Sequence, residues 1–241
     1  GALHVGVRQG DAATRLARAG FDVAVFEEHS SPGLPVHCTG VLAVEAFDEF
    51  GLSRDSILNP LATARFFSPS GRSVSYTTPQ TEALVVDRAV FDHNLYRMAV
   101  EAGAHVFVGA RVTGFEQGPN GVTVDAGGER HAARAGILAC GANYSLHRRL
   151  GLGMPRTYLR SAQLEVPVAR HGDVEVHFGS DVAPQGFAWV VPVVRSTGTF
   201  ARIGLMGEND AASCFRRFAA RIDRSWGIGL PNVDRLVPRQ K

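Results

Sequence analysis

Residues 10 to 40, GDAATRLARAGFDVAVFEEHSSPGLPVHCTG, constrain the fold of this chain more than any other stretch. Ala12, Ala13, Leu16, Ala17 and Ala19 recur at helical spacing and are small enough to let a helix lie close on a sheet. Gly20 supplies the helix stop. Phe21, Val23, Ala24, Val25 and Phe26 then form a short apolar run that suits a parallel strand buried on both faces. Glu27 ends this strand about 20 residues beyond Gly6, where a carboxylate in a dinucleotide-binding unit accepts hydrogen bonds from the adenosine ribose. Upstream, a strand LHVGV leads into Gly6-Val7-Arg8-Gln9-Gly10, which departs from GxGxxG and is about two residues too short. Glycines belong in such a loop because the backbone must approach a pyrophosphate that the helix N-terminus then stabilises. Gly6 and Gly10 are therefore candidate cradle residues, with a ligand-free strand-to-helix turn as the alternative.

A chain of 241 residues can form one large or two small domains. The formal net charge of +2, with acidic and basic residues interspersed, leaves no nucleic-acid footprint. No apolar run approaches the ~20 residues of a membrane helix, although a peripheral membrane contact stays open. Cys38, Cys140 and Cys214 lack paired spacing, which fits a reducing, cytoplasmic setting better than a disulfide framework. No CxxC or HxxxH spacing points to a metal, and His37 and Cys38, adjacent in an extended segment, point to opposite sides.

Further along, a helix is expected near 44–50, closed by Gly51, and residues 62–78 alternate around Pro69-Ser70-Gly71 as a β-hairpin. Val90, Phe91, Leu95, Met98 and Ala99 return to helical spacing, with Asp87 as N-cap. Strands follow at 105–108, 111–117 and 121–126, the last two joined by Gly118-Pro119-Asn120, and a further buried strand at 135–139. From residue 160 the segments SAQLEVPV, DVEVHFG, FAWVVPVV and FARIGLM read as antiparallel strands, followed by a helix at 211–226. This order predicts a mixed α/β fold. A Rossmann-like domain of residues 1–58 and 80–150 is intertwined with a mixed or antiparallel sheet domain of residues 59–79 and 151–241.

Four segments in this order, LARAGFDVAVFEEH, PVHCTGV, LVVDRAVFDHNLYRMAVEAGA and VEVHFGSDVAPQGFAWVVP, carry a family resemblance; a degenerate ACGANYSLHRRLGLG lies between the third and fourth. Together they resemble the geranylgeranyl reductase branch of the flavoprotein group that also contains p-hydroxybenzoate hydroxylase. The resemblance implies FAD as cofactor, with Glu27 on the adenosine ribose and Cys38, Thr39 and Gly40 on a loop running past the flavin. It also implies Arg88 at the phosphate or ribityl region, the backbone of Val112 at the adenine, and Gly141 at the strand end where many relatives carry Asp-Gly instead of Cys140-Gly141. Physically, an arginine fork suits phosphate binding. The plainer readings are a small buried hydrophobe for Cys38 and a surface ion pair with Asp87 or Asp92 for Arg88.

The segment from Gly186 to Pro192 resembles an aromatic motif lining a lipid cavity in that branch. Phe187 and Trp189 share one face of an extended strand, with His177 and Phe178 as candidates for the same wall; filling a core is the alternative for Trp189. The implied activity is reduction of carbon–carbon double bonds of an isoprenoid or related lipid by hydride transfer from reduced FAD. An external donor, NAD(P)H or ferredoxin-like, would supply the electrons. An oxygen-using flavin monooxygenase on the same fold is the alternative within enzymes. No residue stands in a diagnostic constellation for a general acid. The family's second flavin motif, a Gly-Asp pair opening a helix downstream of the substrate sheet, does not occur in these 241 residues. The expectation is therefore a chain lacking its C-terminal part, or a non-catalytic remnant.

Overall fold

The apolar spacing after Gly10 folds into the expected helix, but the helix starts earlier, at Val7, so the anticipated loop residues Val7 to Gly10 are helical. The computed structural model describes residues 2–4, 7–169, 172–208 and 210–240. Gly6, one of the candidate cradle residues, lies outside the described residues. Contacts divide the chain into a first unit of Gly1–Val36, Glu49–Ser56 and Arg88–Pro155 and a second of His37–Asp48, Ile57–Asp87 and Arg156–Lys241.

In chain order the elements begin with β1 (Ala2–His4), α1 (Val7–Arg18), β2 (Ala24–Phe26), β3 (Val41–Ala43), α2 (Glu45–Glu49), β4 (Ile57–Leu61), β5 (Thr63–Phe67), β6 (Ser73–Thr77) and β7 (Ala83–Val86). They continue with α3 (Arg88–Glu101), β8 (His105–Phe107), β9 (Val112–Gly118), β10 (Gly121–Ala126), β11 (Glu129–Ala133), β12 (Gly136–Leu138) and α4 (Ser145–Arg149). The last are β13 (Arg160–Pro167), β14 (Val174–His177), β15 (Phe187–Arg195), β16 (Gly198–Gly207), α5 (Ala211–Trp226) and β17 (Arg239–Gln240).

The first unit holds a parallel sheet in the order β12-β1-β2-β8 and an antiparallel three-stranded sheet of β9, β10 and β11. With β1 between β2 and β12, this is the strand order of an open nucleotide-binding sheet. Its core joins Ala13, Val23, Val25, Tyr96, Ala99 and Ala104. Gly10 serves packing: a Cβ built on it would lie 2.6 Å from the Cβ of Leu95, so its bare backbone lets α1 approach α3. Two strand expectations need correction. The apolar run starts its strand only at Ala24, leaving Phe21 50 % exposed. The strand expected buried at 135–139 is β12, an edge strand with Ile137 43 % exposed.

The second unit holds a seven-stranded sheet in the order β17-β13-β16-β15-β14-β5-β6, antiparallel except for the β14–β5 pair. A three-stranded antiparallel sheet of β3, β7 and β4 accompanies it. Pairing of β7 with both β3 and β4 places residues 37–48 and 80–87 in this unit, whereas the sequence reading assigned them to the nucleotide domain. α5 is amphipathic: Ala211, Cys214, Phe215, Phe218, Ala219 and Ile222 pack on Ala162, Val166, Ala188, Val190, Ala201, Ile203 and Leu205 of the large sheet. Asp210 caps its start by accepting from the backbone N–H of Ala212 and Ser213, and Gly227 at φ 64° ends it. No helix among the described residues is long and apolar enough to cross a membrane.

Candidate functional site

In the first unit, Glu27 is pinned as β2 ends. Its backbone N–H donates to Phe107 O at 2.8 Å and its carbonyl accepts from Ala110 N at 2.8 Å. The carboxylate is 2 % exposed and turned inward. Oε1 accepts from the His29 backbone N–H at 2.8 Å and lies 2.7 Å from His29 Nδ1, while Oε2 accepts from the Tyr96 hydroxyl at 3.2 Å. Burial, reinforced by the Glu27 charge, pushes the Tyr96 phenol well above its ordinary pKa. Glu27 thus has about one acceptor site left of the roughly four on a carboxylate.

Beside this strand end opens a cavity of 230 Å³ lined by Glu28, Arg111, Val112, Thr113, Cys140 and Asn143. Glu28 and Cys140 follow the carboxyl ends of β2 and β12, the strands flanking β1. Open α/β sheets place their ligands in this crevice. Arg111 Nε sits 3.6 Å from Glu28 Oε2. Burial raises the pKa of the Cys140 thiol, whose sulfur lies 3.7 Å from His147 Nδ1, and Gly141 beyond it takes φ 57°. The structure therefore brings Val112 and Cys140 together at one cavity.

Arg88 opens α3 and is committed to Asp92 one turn on, with Nη2 2.9 Å from both carboxylate oxygens and Nε 3.3 Å from one. The ion pair with Asp92 is the expected alternative in its partner, but both side chains are largely buried and the pair is not a surface one. Burial raises the Asp92 carboxyl pKa despite the opposing Arg88 charge. Gly33 lies against the pair: a Cβ there would meet Asp92 Cβ at 2.8 Å, and its φ is 82°.

In the second unit the Cys38–Gly40 loop is held by groups the sequence reading missed. Gln163 Oε1 accepts from the Thr39 hydroxyl at 2.8 Å and from the Trp189 indole N–H at 3.3 Å, and its amide reaches Cys38 O at 3.5 Å. Arg202, 2 % exposed, donates to Thr39 O, to Val86 O at 3.1 Å and to Glu165 Oε2 at 2.8 Å. Arg195 holds Glu165 from the other side at 2.8 and 3.1 Å and reaches Asp87 at 2.6 Å. Burial pushes the Glu165 carboxyl up, but hydrogen bonds from Arg195 and Arg202 outweigh it and hold the pKa below the ordinary value. Val86 N donates to Gly40 O at 2.8 Å, so the loop backbone is fixed while the Cys38 thiol is exposed. Cys38 is thus not the small buried hydrophobe of the alternative reading.

Phe187 and Trp189 share a face, with ring centroids 5.7 Å apart, and pack with Val85, Val191 and Val193. Gly204 leaves room for the indole, since a Cβ there would lie 2.5 Å from it. Phe178 reaches the Phe187 ring at 6.4 Å. His177 does not join them. Val176 stands opposite Trp189 and His177 opposite Ala188, so the imidazole projects from the α5 face of the sheet.

The sequence pattern of the DAO family, described as FAD dependent oxidoreductase, matches residues 42–224. The chain is similar to digeranylgeranylglycerophospholipid reductase of Methanoculleus marisnigri, with 31% identity over 237 residues, 92% of this chain and 58% of the relative. It is also similar to digeranylgeranylglycerophospholipid reductase 1 of Methanopyrus kandleri, with 32% identity over 246 residues, 94% of this chain and 59% of the relative. The chain thus spans well under two thirds of the length of these relatives. Among solved structures, a geranylgeranyl bacteriochlorophyll reductase-like protein from Thermoplasma acidophilum matches with TM-score 0.80 at 22% identity, over 99% of this chain and 64% of that one. The halogenase PltM in complex with FAD matches with TM-score 0.72 at 15% identity, over 100% of this chain and 59% of that one. At these identities the structural likeness is one of fold.

Proposed function

Because this chain belongs to the FAD dependent oxidoreductase (DAO) family, we propose that it binds FAD and serves a reductase acting on carbon–carbon double bonds of an isoprenoid lipid. The observation that carries the reading is the cavity between the carboxyl ends of β2 and β12. Its residues fit the adenosine half of the cofactor. Glu28 lines it and the Val112 backbone takes the adenine edge, while the Glu27 carboxylate, buried on Tyr96 and His29, fixes the strand end beside it. At 230 Å³ it suits one ring system better than a whole dinucleotide, since sites for drug-sized ligands run to roughly 300–1,000 Å³. Arg88, its guanidinium oriented by Asp92, serves the phosphate or ribityl region of the cofactor, and Gly141 serves it at the strand end beyond Cys140.

Bound FAD, reduced by an external donor such as NAD(P)H or a ferredoxin-like protein, supplies a hydride for the alkene. The second unit contributes the Cys38–Gly40 loop, kept rigid by Gln163 and Arg202, and the aromatic face of Phe187 and Trp189 for an isoprenoid chain. The names of the reductases of Methanoculleus marisnigri and Methanopyrus kandleri support the lipid class.

The test is the visible spectrum of the purified chain after incubation with FAD and gel filtration. Flavin bands should be retained, and AMP should compete for the site because the cavity reads the adenosine half. Loss of all flavin would overturn the proposal. For the reaction, dithionite-reduced enzyme given an isoprenoid phospholipid should yield a product heavier by two hydrogens per reduced double bond. NAD(P)H-driven oxygen uptake coupled to a hydroxylated product would establish the monooxygenase instead.

A further inference from the structure

β6 is the free edge of the seven-stranded sheet, and its sequence Ser73-Val74-Ser75-Tyr76-Thr77 alternates strictly although every residue of it is exposed. Such alternation normally belongs to a strand with one face covered by a core. Here the apolar face is open, with Val74 69 % and Tyr76 58 % exposed.

Register fixes the side of the sheet on which that face lies. Val74 stands opposite Phe66 of β5, Phe66 opposite Val176 of β14, and Val176 opposite Trp189 of β15. Directly opposed residues project from the same side of a sheet, so these side chains form one row from the indole to the free edge. With strands about 4.8 Å apart, the row is about 14 Å long. Exposure rises along it: Trp189 is 8 % exposed, Val176 half-buried, Phe66 39 % exposed and Val74 more so. Phe178, itself 43 % exposed and in ring contact with Phe187, widens the strip beside Val176.

On this side of β5, β6 and β14 no described residue is charged. Arg65 and Glu175, the charged residues of β5 and β14, lie 3.8 Å apart on the side of α5, where Phe67 stacks on His177 and where Ser73, Ser75 and Thr77 also project. A contiguous exposed apolar strip marks a binding surface, whereas singly scattered apolar residues do not. A protein partner is normally met by a polar rim. A hydrocarbon chain needs apolar contact alone, and the strip runs directly into the Phe187–Trp189 face.

We propose that the strip extends this face to the sheet edge, so that Phe66, Val74 and Tyr76 hold the distal part of a long isoprenoid chain and select it over a short one. The proposal rests on the isoprenoid reading above and adds the residues that set chain length. Equilibrium dialysis of the purified chain with radiolabelled geraniol and geranylgeraniol, of two and four isoprene units, reads it without flavin or turnover. Geranylgeraniol should bind at least about tenfold tighter, because only the longer chain crosses the strands to Val74. Val74→Ser changes a side chain that is mostly in water, so folding is unaffected. It should weaken geranylgeraniol by about fivefold and leave geraniol unchanged. Ser75→Val, on the other side of the same strand, should change neither. The proposal is overturned if the two alcohols bind alike, if Val74→Ser leaves their ratio unchanged, or if Ser75→Val weakens geranylgeraniol as much. It is also overturned if sedimentation reveals a dimer that Val74→Ser dissociates, since a second copy would then cover the strip. If neither alcohol binds, the isoprenoid reading itself falls and the chain-length role with it.

Discussion

Replacing Glu165 by Leu isolates Arg202 and so measures what the buried ion network contributes. Arg195 would keep Asp87 at 2.6 Å, but Arg202, 2 % exposed, would be left with only the carbonyls of Thr39 and Val86. Breaking a buried pair from one side costs about 3–5 kcal/mol, because the remaining charge is desolvated and uncompensated. Glu165 is 27 % exposed, so water can enter and the lower end, about 3 kcal/mol, is expected. Arg202→Met removes three hydrogen bonds but leaves Glu165 on Arg195, which suggests about 2 kcal/mol. In the double variant no orphaned charge remains. Its cost should therefore fall to about 2–3 kcal/mol, giving a coupling of about 2–3 kcal/mol against the sum of the singles. Urea unfolding followed by tryptophan fluorescence reads this directly, since both tryptophans, Trp189 and Trp226, lie in the second unit. Costs that add to within about 0.5 kcal/mol would refute the idea that Glu165 is what neutralises Arg202.

The same carboxylate makes stability depend on pH. Its folded pKa is depressed by Arg195 and Arg202, so it contributes stability above its unfolded value, near about 4.3, and loses it as the pH falls through the lower folded value. Urea midpoints measured below about pH 4 should drop for the wild type, and the drop should be shallower in Glu165→Gln. Gly10→Val would place side-chain atoms where even a Cβ comes within 2.6 Å of Leu95 Cβ, a cost of about 1–3 kcal/mol in thermal melts. Combined with Leu95→Gly, which removes that Cβ, the loss should be smaller than the sum of the singles, and a fully additive pair would argue against helix contact as the cause.

Where local pattern decides structure, the sequence was a sufficient guide. The spacing of Ala211, Cys214, Phe215, Phe218 and Ile222 specifies α5 and its buried side, and the turns at Gly71 and Asn120 specify the two hairpins. β11, with the sequence ERHAA, has no strand-like composition and owes its place to pairing with β10. The Glu27 position at a strand end was legible, but its inward turn to Tyr96, 69 residues away, was not. Gln163 carried no local signal at all, since its partner Thr39 is 124 residues distant. Arg202, a charge amid Phe200, Ile203 and Leu205, did carry one: a buried arginine requires a partner. Naming that partner required the register of β13 on β16, which sets it opposite Glu165.

That register also explains why the network sits where it does. Alternate residues of β13 and β16, among them Ala162, Val166, Ala201 and Ile203, face the apolar side of α5, while Gln163, Glu165 and Arg202 face the other way toward the Cys38–Gly40 loop. The period of a strand is two, so a slip of one residue would drive Arg202 and Glu165 under Phe215 and Phe218 and expose the apolar set. Desolvating those charges against aromatic rings without partners would cost far more than the slip could recover. The residues that hold the loop therefore also forbid the alternative pairing. A variant that makes both faces apolar, such as Glu165→Leu with Arg202→Met, would lose this discrimination as well as about 2–3 kcal/mol of stability.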